Sequence, residues 1–243
     1  MDIAAMYSTS NRNGTPSVEP LSEDQLWAIL AKVGAISQDG HYKVASTIHT
    51  RQVIWPHLVM QHASTHARRV ASALFERLSD LSVTHVLSPS PSGQALGFAI
   101  ADLFAARAVY ATRGSDGRHQ MLHPGFQIRR GDRVLIVDDG VYTGATIADL
   151  QDIIRSCYAE CIGVGVILDR NVTGMELAPR FEGLLKVEIE VHEAYNTSSG
   201  TCKLCERRKE LQDEWASASI EGERERLKSE LDKLRVIDDR TFD

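Results

Sequence analysis

Asp138 and Asp139 stand side by side at the end of a short apolar run, Arg133-Val134-Leu135-Ile136-Val137, and Gly140-Val141-Tyr142-Thr143-Gly144-Ala145-Thr146 follows them. Two adjacent carboxylates can hold sugar hydroxyls, a Mg²⁺ ion, or a cation that forms during a reaction. The Thr-Gly-Ala-Thr stretch offers a different chemistry. Its small residues let backbone N–H groups approach a ligand closely, and with the Thr143 and Thr146 hydroxyls at a helix start they make a phosphate cradle. Paired carboxylates repel a ligand that is all phosphate, so the two halves together fit a phosphorylated sugar. The plainer alternative is a strand, a turn and a helix capped by Thr143.

The elements around this stretch must hold it in place. The apolar run reads as a buried strand, and open α/β sheets put their ligands at the carboxyl ends of such strands. A βαβ rhythm surrounds it: a strand at 83–87, a helix at 94–105, a strand at 108–111, the strand at 133–137, a helix at 145–158 and a strand at 162–168. Residues 113–124 read as a polar loop without periodicity, and 187–191 as an outer strand. Strands alternating with helices predict an α/β fold, a mainly parallel sheet flanked by helices. Upstream, Ser22 and Gln25 form a capping box for a helix that ends near Gly34. Residues 41–54 read as strand and turn. Pro56 then opens a long helix with Leu58, Val70, Leu74, Phe75 and Leu78 facing inward. Residues 1–20 are polar and are expected to be disordered. Beyond about Glu206 the chain carries dense mixed charge, with Leu227, Leu231 and Leu234 at helical spacing, and reads as a helical tail over 206–243.

Composition narrows the function. The 243 residues carry a net charge of −6, which gives no global attraction for nucleic acid. No run approaches the ~20 apolar residues of a membrane span, and the N-terminus lacks a signal-peptide layout. Four cysteines outside a secretory context are reduced thiols or metal ligands rather than a disulfide framework. A cytoplasmic location is expected.

The segment from Arg133 to Thr146 resembles the loop of type I phosphoribosyltransferases that binds phosphoribosyl pyrophosphate (PRPP). In that pattern Gly140 replaces an aliphatic residue and Tyr142 a threonine. Other segments are similar to the orotate phosphoribosyltransferases, from about Val33 to Glu206. Gly40-His41-Tyr42-Lys43-Val44-Ala45-Ser46-Thr47-Ile48-His49-Thr50 resembles a base-recognising stretch of that family, with Ser46 and His49 matching and Thr47 in place of a glycine. Ser88-Pro89-Ser90-Pro91-Ser92-Gly93 resembles a turn that borders the pyrophosphate. Leu168-Asp169-Arg170 resembles a strand end whose arginine faces the carboxylated base, a task suited to a planar, permanently charged fork. Phe126-Gln127-Ile128 and Cys202-Lys203-Leu204-Cys205 match further fragments.

The resemblance implies a phosphoribosyltransferase-like domain over 21–205, with a small N-terminal hood and base-recognition segment over 21–55. It implies Mg²⁺-dependent displacement of pyrophosphate from C1 of PRPP by a base nitrogen, with orotate the first candidate. Asp138 and Asp139 would hold the ribose hydroxyls and the metal. Val141, Tyr142, Thr143, Gly144, Ala145 and Thr146 would grip the 5′-phosphate, and Ser90, Ser92 and Gly93 the pyrophosphate. Arg170, Thr143, Ser46 and Thr47 would meet the base. A closing loop would bring Arg113, Arg118 and His119 to the leaving group, with His123 nearby. The lysine expected in that loop is missing, and no lysine lies between Lys43 and Lys186. Arginine stabilises charge but does not readily donate a proton, so proton transfer would fall to histidine. A homodimer is expected from the resemblance alone. Two other readings stay open: a PRPP-binding regulatory module with weak or no turnover, and a transferase for a different base. Cys202 and Cys205 read first as small buried thiols turning a loop. They read second as half a Zn²⁺ site completed by Cys157 and Cys161 or by His192.

Overall fold

The structure, a computed structural model, describes residues 21–38, 40–45, 48–114, 119–171, 174, 176–188, 191–193 and 202–238. The expected disordered segment 1–20, together with Ser46, Thr47 and Arg118, lies outside the described residues.

Helix α1 (Glu23–Lys32) starts where the capping box places it. Ser22 Oγ accepts from the Gln25 amide at 3.2 Å, and Gln25 Oε1 accepts from the Ser22 amide at 3.2 Å. Leu26, Ile29 and Leu30 form its buried stripe. Four short strands follow: β1 (Ile36–Ser37), β2 (Tyr42–Ala45), β3 (Ile48–Thr50) and β4 (Val53–Ile54). The long helix expected after Pro56 is broken. Pro56–Gln61 is a 3₁₀ turn, Ala63–Ala67 a π turn, and only Arg68–Leu78 is α-helix (α2). The sequence from His62 to His66 consists largely of weak helix formers, which explains the interruption. Val70, Leu74 and Leu78 of α2 are buried as expected.

The βαβ series then builds the main sheet from β5 (His85–Pro89), α3 (Gln94–Phe104), β6 (Arg107–Arg113), β7 (His119–Leu122), β8 (Arg133–Val141), α4 (Ala145–Ser156), β9 (Glu160–Asp169) and β10 (Phe181–Lys186). The strand order is β10-β9-β8-β5-β6-β7. The first five in this order are parallel, and β7 adds to the edge antiparallel to β6. Part of the expected polar loop is therefore strand, and the expected strand at 187–191 is displaced to β10. Both sheet faces are covered, as continuous apolar strands require. Along β8, Leu135 and Val137 pack with α1, α2 and α3, while Val134 and Ile136 pack with α4. Each such fully buried Leu or Ile contributes roughly 1.5–3 kcal/mol.

A second, smaller sheet draws its strands from distant parts of the chain. β11 (Val191–Glu193), β3, β2 and β12 (Ile237–Asp238) lie in that order. The tail between β11 and β12 consists of α5 (Lys203–Ser217) and α6 (Glu221–Lys233). Leu211 of α5 and Leu227 of α6 are buried, and their helices pack on one another. Among the described residues no helix is long and apolar enough to cross a membrane.

Candidate active site

In the main sheet the strand order reverses between β5 and β8. Connections from β5 run outward to β6, and those from β8 run the other way to β9 and β10. Such a reversal leaves a crevice beyond the carboxyl ends of the two central strands. A cleft of about 420 Å³ lies there, lined by Pro91 and Ser92 after β5, by residues 138–147, and by Val44, Trp55, Pro56 and His57 from the N-terminal segment. β8 does not stop before its two carboxylates. It continues to Val141, with Asp138 opposite Val166 and Val141 opposite Asp169, so the sheet itself fixes the pair.

Asp138 is 4% exposed and Asp139 9%. Asp138 Oδ1 accepts from the Asp139 amide at 2.8 Å and from Ser92 Oγ at 3.2 Å. Asp139 Oδ2 accepts from His57 Nδ1 at 2.9 Å. Burial, and after it the charge of Asp139, pushes Asp138 well above the usual carboxylate range. A cation or a set of hydroxyl donors arriving in the cleft would relieve that cost. The turn after β5 approaches the pair so closely that only glycine fits at 93, where a Cβ would lie 2.9 Å from Asp138 Oδ1 and from Val137 O.

Past Val141 the chain turns through Gly144, whose φ of +79° favours glycine and whose residue caps α4. Thr143 Oγ1 accepts from the Ala145 amide at 3.4 Å. The first-turn amides of a helix have no partners within the helix, and the residues that open α4, Ala145 and Thr146, line the cleft beside Thr143. One wall is therefore acidic and the other donates hydrogen bonds. Arg113, at the end of β6, adds a cation to the lining.

The comparisons with known proteins agree with this geometry. Residues 59–195 match the phosphoribosyl transferase domain, a span that contains the whole main sheet. The chain belongs to the phosphoribosyltransferase family. It is 26% identical over 187 residues to an orotate phosphoribosyltransferase of Desulforamulus reducens, covering 77% of this chain and 93% of that one. It is 29% identical over 170 residues to an orotate phosphoribosyltransferase of Chlorobium phaeobacteroides, covering 69% and 82%. In fold it is similar to the orotate phosphoribosyltransferase of Aeropyrum pernix, with a TM-score of 0.56, 21% identity, and coverage of 67% of this chain and 93% of that one.

Set against the family pattern, the expected site residues fall into four groups. Ser92, Arg113 and the stretch from Asp138 to Thr146 meet around the cleft. Ser90 and Gly93 border it with their donors engaged inside the protein: Ser90 Oγ donates to Gln94 Oε1 at 3.0 Å, and the Gly93 amide to Pro89 O at 3.2 Å. Arg170 is 2% exposed and is not part of the cleft lining. Its guanidinium lies 4.9 Å from the centre of the Tyr142 ring and donates to the Tyr142 hydroxyl. The residue that replaces the family's threonine thus stands between Arg170 and the cleft. Ser46, Thr47 and Arg118 lie outside the described residues, as does the side chain of His119.

Cys202 and Cys205 need a correction. Cys157 and Cys161 do not complete their set: those two pack with the cluster on the α4 face of the main sheet. The C-x-x-C pair instead meets His41 and His49 of the small sheet, in a cluster that could hold a metal ion. Burial holds His41 below its ordinary pKa. Burial, then the neighbouring His41, then Lys43 bring His49 down to about 4. Sequence reasoning also missed His57 at the acidic pair. Nothing in its spacing sets it apart from the other histidines.

Proposed function

We propose that the protein transfers the phosphoribosyl group of PRPP to a heterocyclic base, with orotate as first candidate, giving orotidine 5′-monophosphate and pyrophosphate. The observation that carries this reading is the cleft with one wall of paired carboxylates and one of helix-terminal donors, at the reversal of the strand order. In the reaction a base nitrogen forms a bond to C1 of the ribose while the C1–O bond to pyrophosphate breaks. The α4 amides with Thr143 and Thr146 hold the 5′-phosphate, and Asp138 and Asp139 bind ribose hydroxyls. As positive charge grows on the sugar ring, the fixed carboxylates stabilise it, a preorganised electrostatic contribution of the kind that dominates many enzymes. His57 holds Asp139 in place through its Nδ1–H. Arg113 faces the pyrophosphate side.

Mg²⁺ fits this donor set. Two adjacent buried carboxylates, one with its pKa raised by burial and by its neighbour, offer the hard oxygen ligands that this ion prefers. Asp138 and Asp139 would hold the ion together with the substrate's oxygens, and there it would neutralise charge on the pyrophosphate. The same reading carries with it a homodimer and a cytoplasmic location.

A second reading, a PRPP-binding module with weak turnover or a transferase for another base, draws on two observations. The stretch 44–185 contains no lysine to meet the leaving group, and Tyr142 covers the arginine that would meet a carboxylated base. Purified protein incubated with PRPP, Mg²⁺ and a panel of bases separates the readings. Pyrophosphate release with orotate, lost together with PRPP binding in Asp138→Asn/Asp139→Asn, is the expected result. PRPP binding without release for every base would leave the binding module standing. Unchanged PRPP affinity in the double variant would remove the site assignment itself.

A further inference from the structure

We infer that His41, His49, Cys202 and Cys205 form a structural zinc site that pins the C-terminal tail to the small sheet. The four ligand atoms lie within 4.8 Å of one another, and three of the four residues are buried. His41 Nε2 is 2.8 Å from His49 Nδ1, 3.5 Å from Cys202 Sγ and 3.4 Å from Cys205 Sγ, while Cys205 Sγ is 3.2 Å from His49 Nδ1. Around tetrahedral zinc the ligand bond lengths imply edges of about 3.3 Å for N···N and about 3.6 Å for N···S. Four of the six edges are thus somewhat shorter than those of a zinc tetrahedron, and none of the six exceeds 4.8 Å, so small shifts of the side chains bring all four atoms to bonding distance of one ion.

An independent contact orients the first ligand. The Leu234 carbonyl, just past α6, can only accept, so His41 Nδ1–H donates to it at 3.1 Å. Nε2 is thereby left with its lone pair aimed at the other three atoms. A carbonyl holding the far nitrogen of a ligating imidazole is the usual supporting contact of metal-bound histidine. The two thiols sit one helical turn apart at the start of α5, with Cys202 as its N-cap. Two thiolates and Zn²⁺ sum to zero charge, which suits an interior position. Two sulfur and two nitrogen donors with no open position select zinc over magnesium or calcium, and fit a structural rather than a catalytic role.

The site joins pieces that are far apart in the chain. His41 precedes β2 and His49 lies within β3 of the same hairpin, the cysteines begin α5, and Leu234 ends α6. The next backbone contact continues the seam, since the Ile237 amide donates to the His41 carbonyl at 2.8 Å. Val44, on the same hairpin, lines the active-site cleft. The metal thus fixes one cleft wall from behind, without contacting substrate.

The test is the metal content of the full chain purified from zinc-supplemented cells, followed by cobalt replacement. The expectation is about one zinc per chain after gel filtration, and a cobalt form with the intense visible absorption of a tetrahedral site and sulfur-to-cobalt charge transfer. Cys202→Ser/Cys205→Ser should lose the metal, and Cys157→Ser/Cys161→Ser should keep it. Should the first pair fail to fold, the cobalt spectrum of the unaltered protein still decides. A spectrum without sulfur charge transfer, a chain that retains no metal, or loss of metal in the Cys157/Cys161 variant would overturn the assignment.

Discussion

Tyr142 and Arg170 show how one side chain can set acceptor preference. A buried guanidinium against an aromatic face gains about 2 kcal/mol when water is excluded, and Arg170 gains the Tyr142 hydroxyl as an acceptor as well. An anionic base must displace this arrangement before it can use the arginine. Restoring the family's residue with Tyr142→Thr should uncover the guanidinium. We expect kcat/KM for orotate to rise about tenfold relative to an uncharged base, a difference of ~1.4 kcal/mol. Steady-state kinetics with both acceptors measures this, and an unchanged ratio would mean that Tyr142 does not screen the arginine. At this scale the sequence was only half legible. The replacement of threonine by tyrosine was visible at once, but not which way the ring would lie, because that depends on a strand end 28 residues further on.

At the level of elements, the meeting of the β5 turn with β8 depends on the absence of one carbon atom. Gly93→Ala would set a Cβ at 2.9 Å from both Asp138 Oδ1 and Val137 O, and 2.8 Å from Pro89 Cδ. Backbone and ring atoms there have little room to give, so the turn must lift away from the carboxylates. We expect a stability loss of roughly 1–3 kcal/mol and PRPP affinity at least tenfold weaker, measured by thermal unfolding and calorimetric titration. Wild-type affinity in a destabilised Gly93→Ala would show that the turn does not shape the cleft. The elements that make the crevice were the most readable part of the chain. β5, β8, β9, α3 and α4 carry apolar runs or helical periodicity strong enough to declare themselves. The elements missed were those whose form comes from a neighbour. β7 is a polar stretch made strand by pairing with β6, and β10 by pairing with β9. The break in the helix after Pro56 reflects local propensity that an apolar stripe concealed.

Over the whole molecule, the charged tail proves to be an anchored part of the structure. Leu227, 3% exposed in a helix otherwise rich in charge, is its main apolar anchor on α6. Leu227→Asp should cost roughly 2–4 kcal/mol through lost burial and an unpaired carboxylate. A separate early transition in circular dichroism should report it, with PRPP affinity held within about twofold because the main sheet is untouched. A single unshifted transition would mean that the tail does not dock through this residue. Sequence reasoning reached the cysteine half of the His41, His49, Cys202 and Cys205 cluster and missed its histidines for a reason of the same scale: the two halves stand about 160 residues apart in the chain, and no local spacing rule spans that interval. The small sheet has the same property, since β2 pairs in parallel with β12. On the ribosome, the hairpin that walls the cleft must wait, one edge open, until β12 has followed it out. The doubly wound centre, whose strands all lie between the two in the chain, can condense before that, so the lip of the cleft is closed only after its floor is in place.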